Sequence, residues 1–166
     1  MTNIISNIGN VLVDIGTALG GVPREERNLP EVRVIEVPYS QCIDELATLG
    51  IEWQRKAKYK PDYIVRHTTL EGWKLILPYL IFSAHWYIFE GADCDDYAVW
   101  AKAKASRLFK LHVFETWGTM PLGRHAWNMV RYGEKSYVFF DSNAGFDVAG
   151  KLFANGEYGR QAKSWL

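Results

Sequence analysis

The chain has little of several things, and each scarcity closes off a class of protein. Its 166 residues hold two cysteines, Cys42 and Cys94. Two thiols are not the disulfide framework that staples small secreted domains. A bridge between them would use up both, so the reading is two reduced thiols in a reducing compartment. Charge of one sign is also missing: 19 basic and 19 acidic side chains cancel. That removes the basic excess expected of a nucleic-acid binder and of a polybasic membrane anchor. No apolar run reaches the roughly 20 residues of a membrane span. The nearest, Leu75 to Phe89, is interrupted by Pro78, Ser83 and His85. Asp14 breaks the N-terminal apolar stretch, and no basic segment leads it, so no export signal is expected. Cytoplasmic placement is the default, with phage association or another route of release as the alternative. Repeats and low-complexity tracts are absent.

What is present is core-forming material. Hydrophobic residues make up 48% of the chain and aromatics 14%, with seven tryptophans. A chain of this length makes about one domain and buries roughly two thirds of its unfolded surface. Ile4, Ile5, Ile8, Val11, Leu12, Ile15, Ala18 and Leu19 recur at helical spacing until Gly20-Gly21. Residues 1–30 therefore read as an amphipathic helix and a polar linker, the helix being a docking element for the domain or for a partner. Residues 31–166 read as one domain.

Within it, Glu31 to Tyr39 reads as an edge strand closed by Pro38, and Gln41 to Leu49 as a helix capped by Ser40 and stopped by Gly50. Ile51 to Lys60 is basic and aromatic and reads as a solvated face. Thr68 with Glu71 has capping-box spacing for a helix that Pro78 kinks or divides. A helix begins at Cys94. Strands follow at Leu111 to Trp117, His125 to Tyr132 and Ser136 to Asp141, with Gly118 to Gly123 as a loop. The glycine-rich tail from Phe146 gives no assignment. Helices first and antiparallel strands after predict an α+β fold.

One stretch organises the rest: Gly91-Ala92-Asp93-Cys94-Asp95-Asp96-Tyr97-Ala98. Aspartates favour a first helical turn, where free N–H groups and the positive end of the dipole lie. The dipole favours a thiolate there and the neighbouring carboxylates oppose it, so a nucleophilic cysteine needs a cationic partner from elsewhere. His125, 31 residues on, supplies an imidazole to take the thiol proton. Asp141, 16 further, supplies a carboxylate for the far ring nitrogen. A hairpin brings His125 and Asp141 to one face only if its loop is odd in length or carries a bulge near Gly133. Pairing Tyr132 with Ser136 sets Trp127 opposite Asp141 and His125 diagonal to it, whereas pairing Arg131 with Lys135 sets His125 opposite Asp141 directly. Asn143 shares the parity of Asp141 and is the reserve third member.

The blocks Gly91 to Ala98, His125-Ala126-Trp127-Asn128 and Phe140-Asp141-Ser142-Asn143 resemble the three motif blocks of the transglutaminase-like cysteine protease superfamily. The resemblance spans about residues 85–145. It implies a papain/transglutaminase-core-like fold, a Cys-bearing helix packed on an antiparallel sheet carrying His and Asp. It also implies Cys94 as nucleophile, His125 as base and then acid, and Asp141 as orienter. The expected activity is thiol-dependent hydrolysis of amide bonds through a thioester, as in a cysteine protease. The alternatives are acyl transfer to amines, cleavage of cell-wall peptides, and a catalytically silent binding or structural module. The expected partner is accordingly a peptide or protein, with cell-wall peptide as a variant.

An acyl-transfer site also needs oxyanion donors. The N–H groups at the helix start and an upstream side chain, Trp86 ahead of His85 and Gln54, are the candidates. Trp127 is expected to line the cleft on the face of His125. Cys42, amid Ile43 and Leu46, reads as a buried hydrophobe. His67, His85 and His112 lack metal-ligand spacing, and Asp93, Asp95 and Asp96 lack the spaced ligands and central glycine of a calcium loop. No cofactor or metal is expected.

Overall fold

The structure, a computed structural model, describes residues 28–53 and 63–165. The chain divides into two compact units, Met1–Glu31 and Val32–Leu166. The expected N-terminal helix, Gln54 and most of the basic aromatic segment lie outside the described residues.

In chain order the second unit runs β1 (Ile35–Pro38), α1 (Tyr39–Thr48), β2 (Glu52–Trp53), β3 (Ile64–His67), α2 (Leu70–Ile76), α3 (Cys94–Phe109), β4 (Phe114–Met120), β5 (Gly123–Gly133), β6 (Ser136–Phe140) and β7 (Gln161–Trp165), with 3-10 turns between. Strands β1 and β3 form a separate antiparallel ladder. The other five make one sheet in the order β2-β7-β4-β5-β6, antiparallel except for β2 beside β7.

This corrects the expected architecture. The framework is a mostly antiparallel sheet with few helices, not a helical α+β layer of the papain/transglutaminase kind with strands added. Of the three described helices only α3, with 16 residues, is longer than ten. The physical reason is that the centre of β5 is buried on both faces. The run His125–Arg131 is buried throughout with His125, Asn128 and Arg131 among its apolar residues, so it lacks the apolar–polar alternation of a half-solvated strand and understates how far the sheet extends.

Alternation along β5 divides its contacts. Trp127 and Met129 join Phe139 and Tyr137 of β6 in the core with Cys42 and Leu46 of α1, Ile51 and Val65. Asn128 lies on the α3 side, where its Nδ2 donates to the Ala98 carbonyl at 2.9 Å. Trp73 of α2 is fully buried and its indole N–H donates to the Arg131 carbonyl at 2.7 Å. Each such large side chain contributes about 1.5–3 kcal/mol by leaving water.

Several boundaries differ from expectation. Helix α1 begins at Tyr39 after Pro38, which makes no side-chain cap, so Ser40 lies inside the first turn. Thr69 rather than Thr68 caps α2, accepting from the Gly72 N–H at 3.2 Å. Pro78 does divide that segment: α2 ends at Ile76 and Leu77–Leu80 is a 3-10 turn. The segment 118–123 is no loop. β4 continues to Met120 and turns through Pro121 and Leu122 alone, Met120 pairing with Gly123. The tail supplies β7, which enters the sheet between β2 and β4. Its register against β4 shifts between Trp117 and Gly118. There a Cβ on Gly118 would meet the Gln161 carbonyl oxygen and the ring of Trp127, so only glycine fits.

Candidate functional site

Cys94 is the first residue of α3. Its helix start is closed by a capping box: Asp93 is the N-cap, and Asp96 Oδ2 accepts from the Asp93 N–H at 3.2 Å. That fixes the half-buried thiol at the helix terminus. His125 sits in β5 opposite Gly118 of β4, and Asp141 follows directly on β6.

The hairpin between them carries the required irregularity. Asn128 pairs with Phe140 and Arg131 with Tyr137, and the register shifts between Arg131 and Gly133 before Gly133 meets Ser136. Carried on, this register sets Asp141 opposite Trp127 and diagonal to His125. The consequence is a 2.7 Å contact between His125 Nε2 and Asp141 Oδ2, with both groups buried. Asp141 uses its other oxygen to accept from the Asn143 N–H at 3.1 Å. The Cys94 side chain lies within electrostatic reach of the same imidazole. Sulfur, imidazole and carboxylate thus converge from three parts of the chain.

Burial alone would lower the basicity of His125. The hydrogen bond with Asp141, the nearby Cys94 side chain and the charges on both outweigh it, and its pKa is raised to about 9. An imidazole that keeps its proton at neutral pH against a thiol is what a nucleophilic sulfur requires. Two rings flank the imidazole: Trp127 at 5.8 Å and Phe146 at 4.5 Å between centroids.

The other sequence candidates fall into different places. Trp127 is fully buried, lies beneath His125 and lines no accessible cleft. Asn143 is buried too, and its side-chain oxygen accepts from the Gly145 N–H at 2.8 Å, so it shapes the turn after Asp141 rather than replacing it. Trp86 is 55% exposed and packs against Phe82 and Trp100, 6.1 and 6.2 Å away. The aromatic tied electrostatically to the thiol is Tyr87, which no spacing or motif singles out. Burial, then Asp93, Cys94 and Glu90, push its phenol up.

These rings form a wall beside Cys94. Phe82, Trp86, Trp100, Tyr97 and Tyr87 stack in successive tilted and edge-on pairs. The wall is held from behind. Phe82 exchanges backbone bonds with Ser142 and Ala144, and the Tyr97 hydroxyl donates to the Ser83 carbonyl at 2.6 Å.

Asp93, Cys94 and Asp95 bring one ligand atom each within 4.8 Å of one another, the grouping among the described residues that could hold a cation. Asp95 hydrogen-bonds Asp93, and that bond with the neighbouring carboxylates raises its pKa. Asp93 Oδ1 is buried without a hydrogen-bond partner. Among the described residues no helix is long and apolar enough to cross a membrane.

No family model matches the chain, and no curated protein matches it. Among solved structures it is similar to PSL1a in a PSL1a–E64 complex, with a TM-score of 0.59 and 17% identity, over 79% of this chain and 51% of that one. It is also similar to the Polyporus squamosus lectin bound to the human-type influenza-binding epitope Neu5Acα2-6Galβ1-4GlcNAc, with a TM-score of 0.45 and 17% identity, over 71% of this chain and 48% of the lectin. The chain spans about half the length of each. The likeness to PSL1a is one of fold. PSL1a is not named as a transglutaminase-like protease, and this corrects the expected fold class and the expected hydrolase and cysteine-protease activity together with its peptide substrate.

Proposed function

We propose that the chain is a ligand-binding module, the last of the alternatives above, which engages a carbohydrate on the aromatic wall beside Cys94. The observation that carries this reading is the exposure of that wall. Trp86 presents over half its surface to solvent while its neighbours Phe82, Tyr97 and Trp100 hold it in place. Tyr87, Ile88 and Phe89 extend the exposed apolar surface towards the thiol. Fixed, solvent-facing aromatic rings suit the C–H face of a sugar, and contiguous exposed apolar surface marks a binding site. The acidic groups at the foot of the wall, Glu90, Asp93, Asp95 and Asp96, supply acceptors for hydroxyl groups.

The test is titration of glycans, with Neu5Acα2-6Galβ1-4GlcNAc as the first probe, followed by tryptophan fluorescence and by resonances of the wall residues. Binding should perturb Trp86 and Trp100. Trp86→Ala should weaken it by about two- to tenfold, the scale of one aromatic contact of about 0.5–1.5 kcal/mol. A broad glycan panel that leaves every wall resonance unmoved would sink the reading.

A second reading is favoured by one specific contact, the carboxylate of Asp141 on the far nitrogen of His125. It is that Cys94 is a reactive thiol that takes up an acyl group and passes it to an amine. Cys94 would attack the acyl carbonyl and expel the leaving group with a proton from His125. The amine would then attack the thioester and give its proton to His125. Wild type and Cys94→Ala are compared with an activated acyl ester and a labelled amine. Equal amine incorporation by both sinks this reading.

A further inference from the structure

We propose that Phe146 is a positioning residue for the thiol site, holding the imidazole plane of His125 so that one edge meets Asp141 while the other meets Cys94. The proposal rests on the reading of Cys94 as a reactive thiol.

Asp141 holds the His125 ring by one edge only, at 2.7 Å. The torsion that turns an imidazole about its attachment is broad, and the thiol at its other edge is the reacting group itself, so the plane of the ring is left to be set by packing. What fixes the plane must press on the ring itself. Trp127 does so from within β5, where burial already locks it. Phe146 does so more closely, at 4.5 Å between centroids and 54° between planes. It comes from the turn after β6, not from the sheet.

That turn is braced. The Phe146 N–H donates to the Asn143 carbonyl, and its own carbonyl accepts from Ala149. The guanidinium of Arg160 lies 5.8 Å from the Phe146 ring centre and 5.9 Å from that of Phe153. Phe153 in turn stacks on Phe139 of the core. Arg160 is 2% exposed, its Nη2 reaches Asp147 at 3.4 Å, and its Nε has no hydrogen-bond partner. A buried guanidinium held against two rings is a cation–π clamp, and its effect is to tie Phe146 to the core. The chain of contacts from Phe139 through Phe153, Arg160 and Phe146 ends on the imidazole.

The experiment measures the rate of iodoacetamide alkylation of Cys94 in the full chain across pH, with the labelled peptide resolved from that of Cys42. Phe146→Leu keeps bulk and loses the ring; Phe146→Tyr keeps the ring. The leucine variant should alkylate Cys94 about tenfold or more slowly at neutral pH, since small misplacements of a reacting group cost this much. The midpoint of its pH profile should move as well. The tyrosine variant should return to within about twofold of wild type. A leucine variant with the wild-type rate and profile overturns the proposal while leaving the reactive thiol standing. A wild-type Cys94 that reacts no faster than free glutathione overturns both. Should the leucine variant fail to fold, Arg160→Met gives the answer by loosening the clamp. A moved pH profile then supports the proposal and an unmoved one refutes it.

Discussion

His67 and His125 make an instructive pair. Both are almost fully buried strand residues, and each faces a charged group. Their states are opposite. His125 faces a carboxylate and keeps its proton to about pH 9. His67 faces the Arg131 guanidinium, which can only donate, so its Nε2 must accept and the ring must be neutral. Its Nδ1 then donates to the Thr68 carbonyl at 3.2 Å. Burial and the guanidinium push its pKa down. The sign of the partner, not the depth of burial, decides which histidine can hold a proton for chemistry.

The surroundings differ in the same sense. The cluster around His67 is closed. Glu45 of α1 receives two bonds from Arg131, both at 3.0 Å, one from Tyr137 at 2.7 Å and one from Gln41 at 2.8 Å. Burial would raise its carboxyl, but these donors outweigh burial and hold it at about 2. Burial pushes the Cys42 thiol up and seals it inside. Around His125 the Cys94 thiol is only half-buried. One cluster joins α1 to the sheet, and the other presents a thiol.

The sharpest way to break the comparison is to unpair the closed cluster. Glu45→Gln leaves the Arg131 charge buried without its counter-ion and should cost about 3–5 kcal/mol in denaturant unfolding. Replacing Glu45 by Leu and Arg131 by Met together should recover much of that loss. A Glu45→Gln variant within 1 kcal/mol of wild type, on the roughly 1 kcal/mol scale of an ordinary hydrogen bond, would mean the pair is not sealed as described. Next in size is the contrast between thiols. Iodoacetamide near neutral pH should modify Cys94 at least about a hundredfold faster than Cys42, because reaction needs both access and a thiolate; equal slow labelling would remove the contrast. Asp141→Asn should slow Cys94 labelling about tenfold or more by loosening the imidazole, with circular dichroism unchanged. The smallest effect is in the pH dependence of stability. The raised pKa of His125 gives stability that is full below about pH 6.5 and lost as pH rises through about 9. The lowered pKa values of His67 and Glu45 give stability that is lost as pH falls, below about 6.5 for His67 and from about 4.5 towards 2 for Glu45. Unfolding across pH should therefore show two limbs, and His125→Gln should flatten the alkaline one alone. An alkaline limb that survives in this variant assigns it elsewhere.

The triad positions were legible because spacing and parity constrain a hairpin tightly. Cys94, His125 and Asp141 follow from a helix start, a strand and the next strand, and the bulge near Gly133 follows from requiring one face. The closed cluster was not legible. Glu45, His67, Arg131 and Tyr137 come from four elements, with separations as large as 92 residues, and nothing local links them. β7 was missed for another reason. Its alternation is intact, but the buried positions are Ala162 and Ser164, which carry almost no apolar signal. The extent of β4 was underread because Gly118 looks like a turn residue, whereas it is glycine to let Gln161 and Trp127 approach. The activity was read beyond the residues: side chains that converge fix a geometry, and they name neither an activity nor the molecule it acts on.

The placement of β7 sets a rule for biosynthesis. Because residues 161–165 slot between β2 and β4, an edge of β4 stays open while the chain emerges from the ribosome, even after β4, β5 and β6 have been made. An uncovered strand edge of that length invites intermolecular pairing. Translation that stalls before residue 161 should therefore yield aggregation-prone nascent chains, and the sheet is completed only when those five residues arrive.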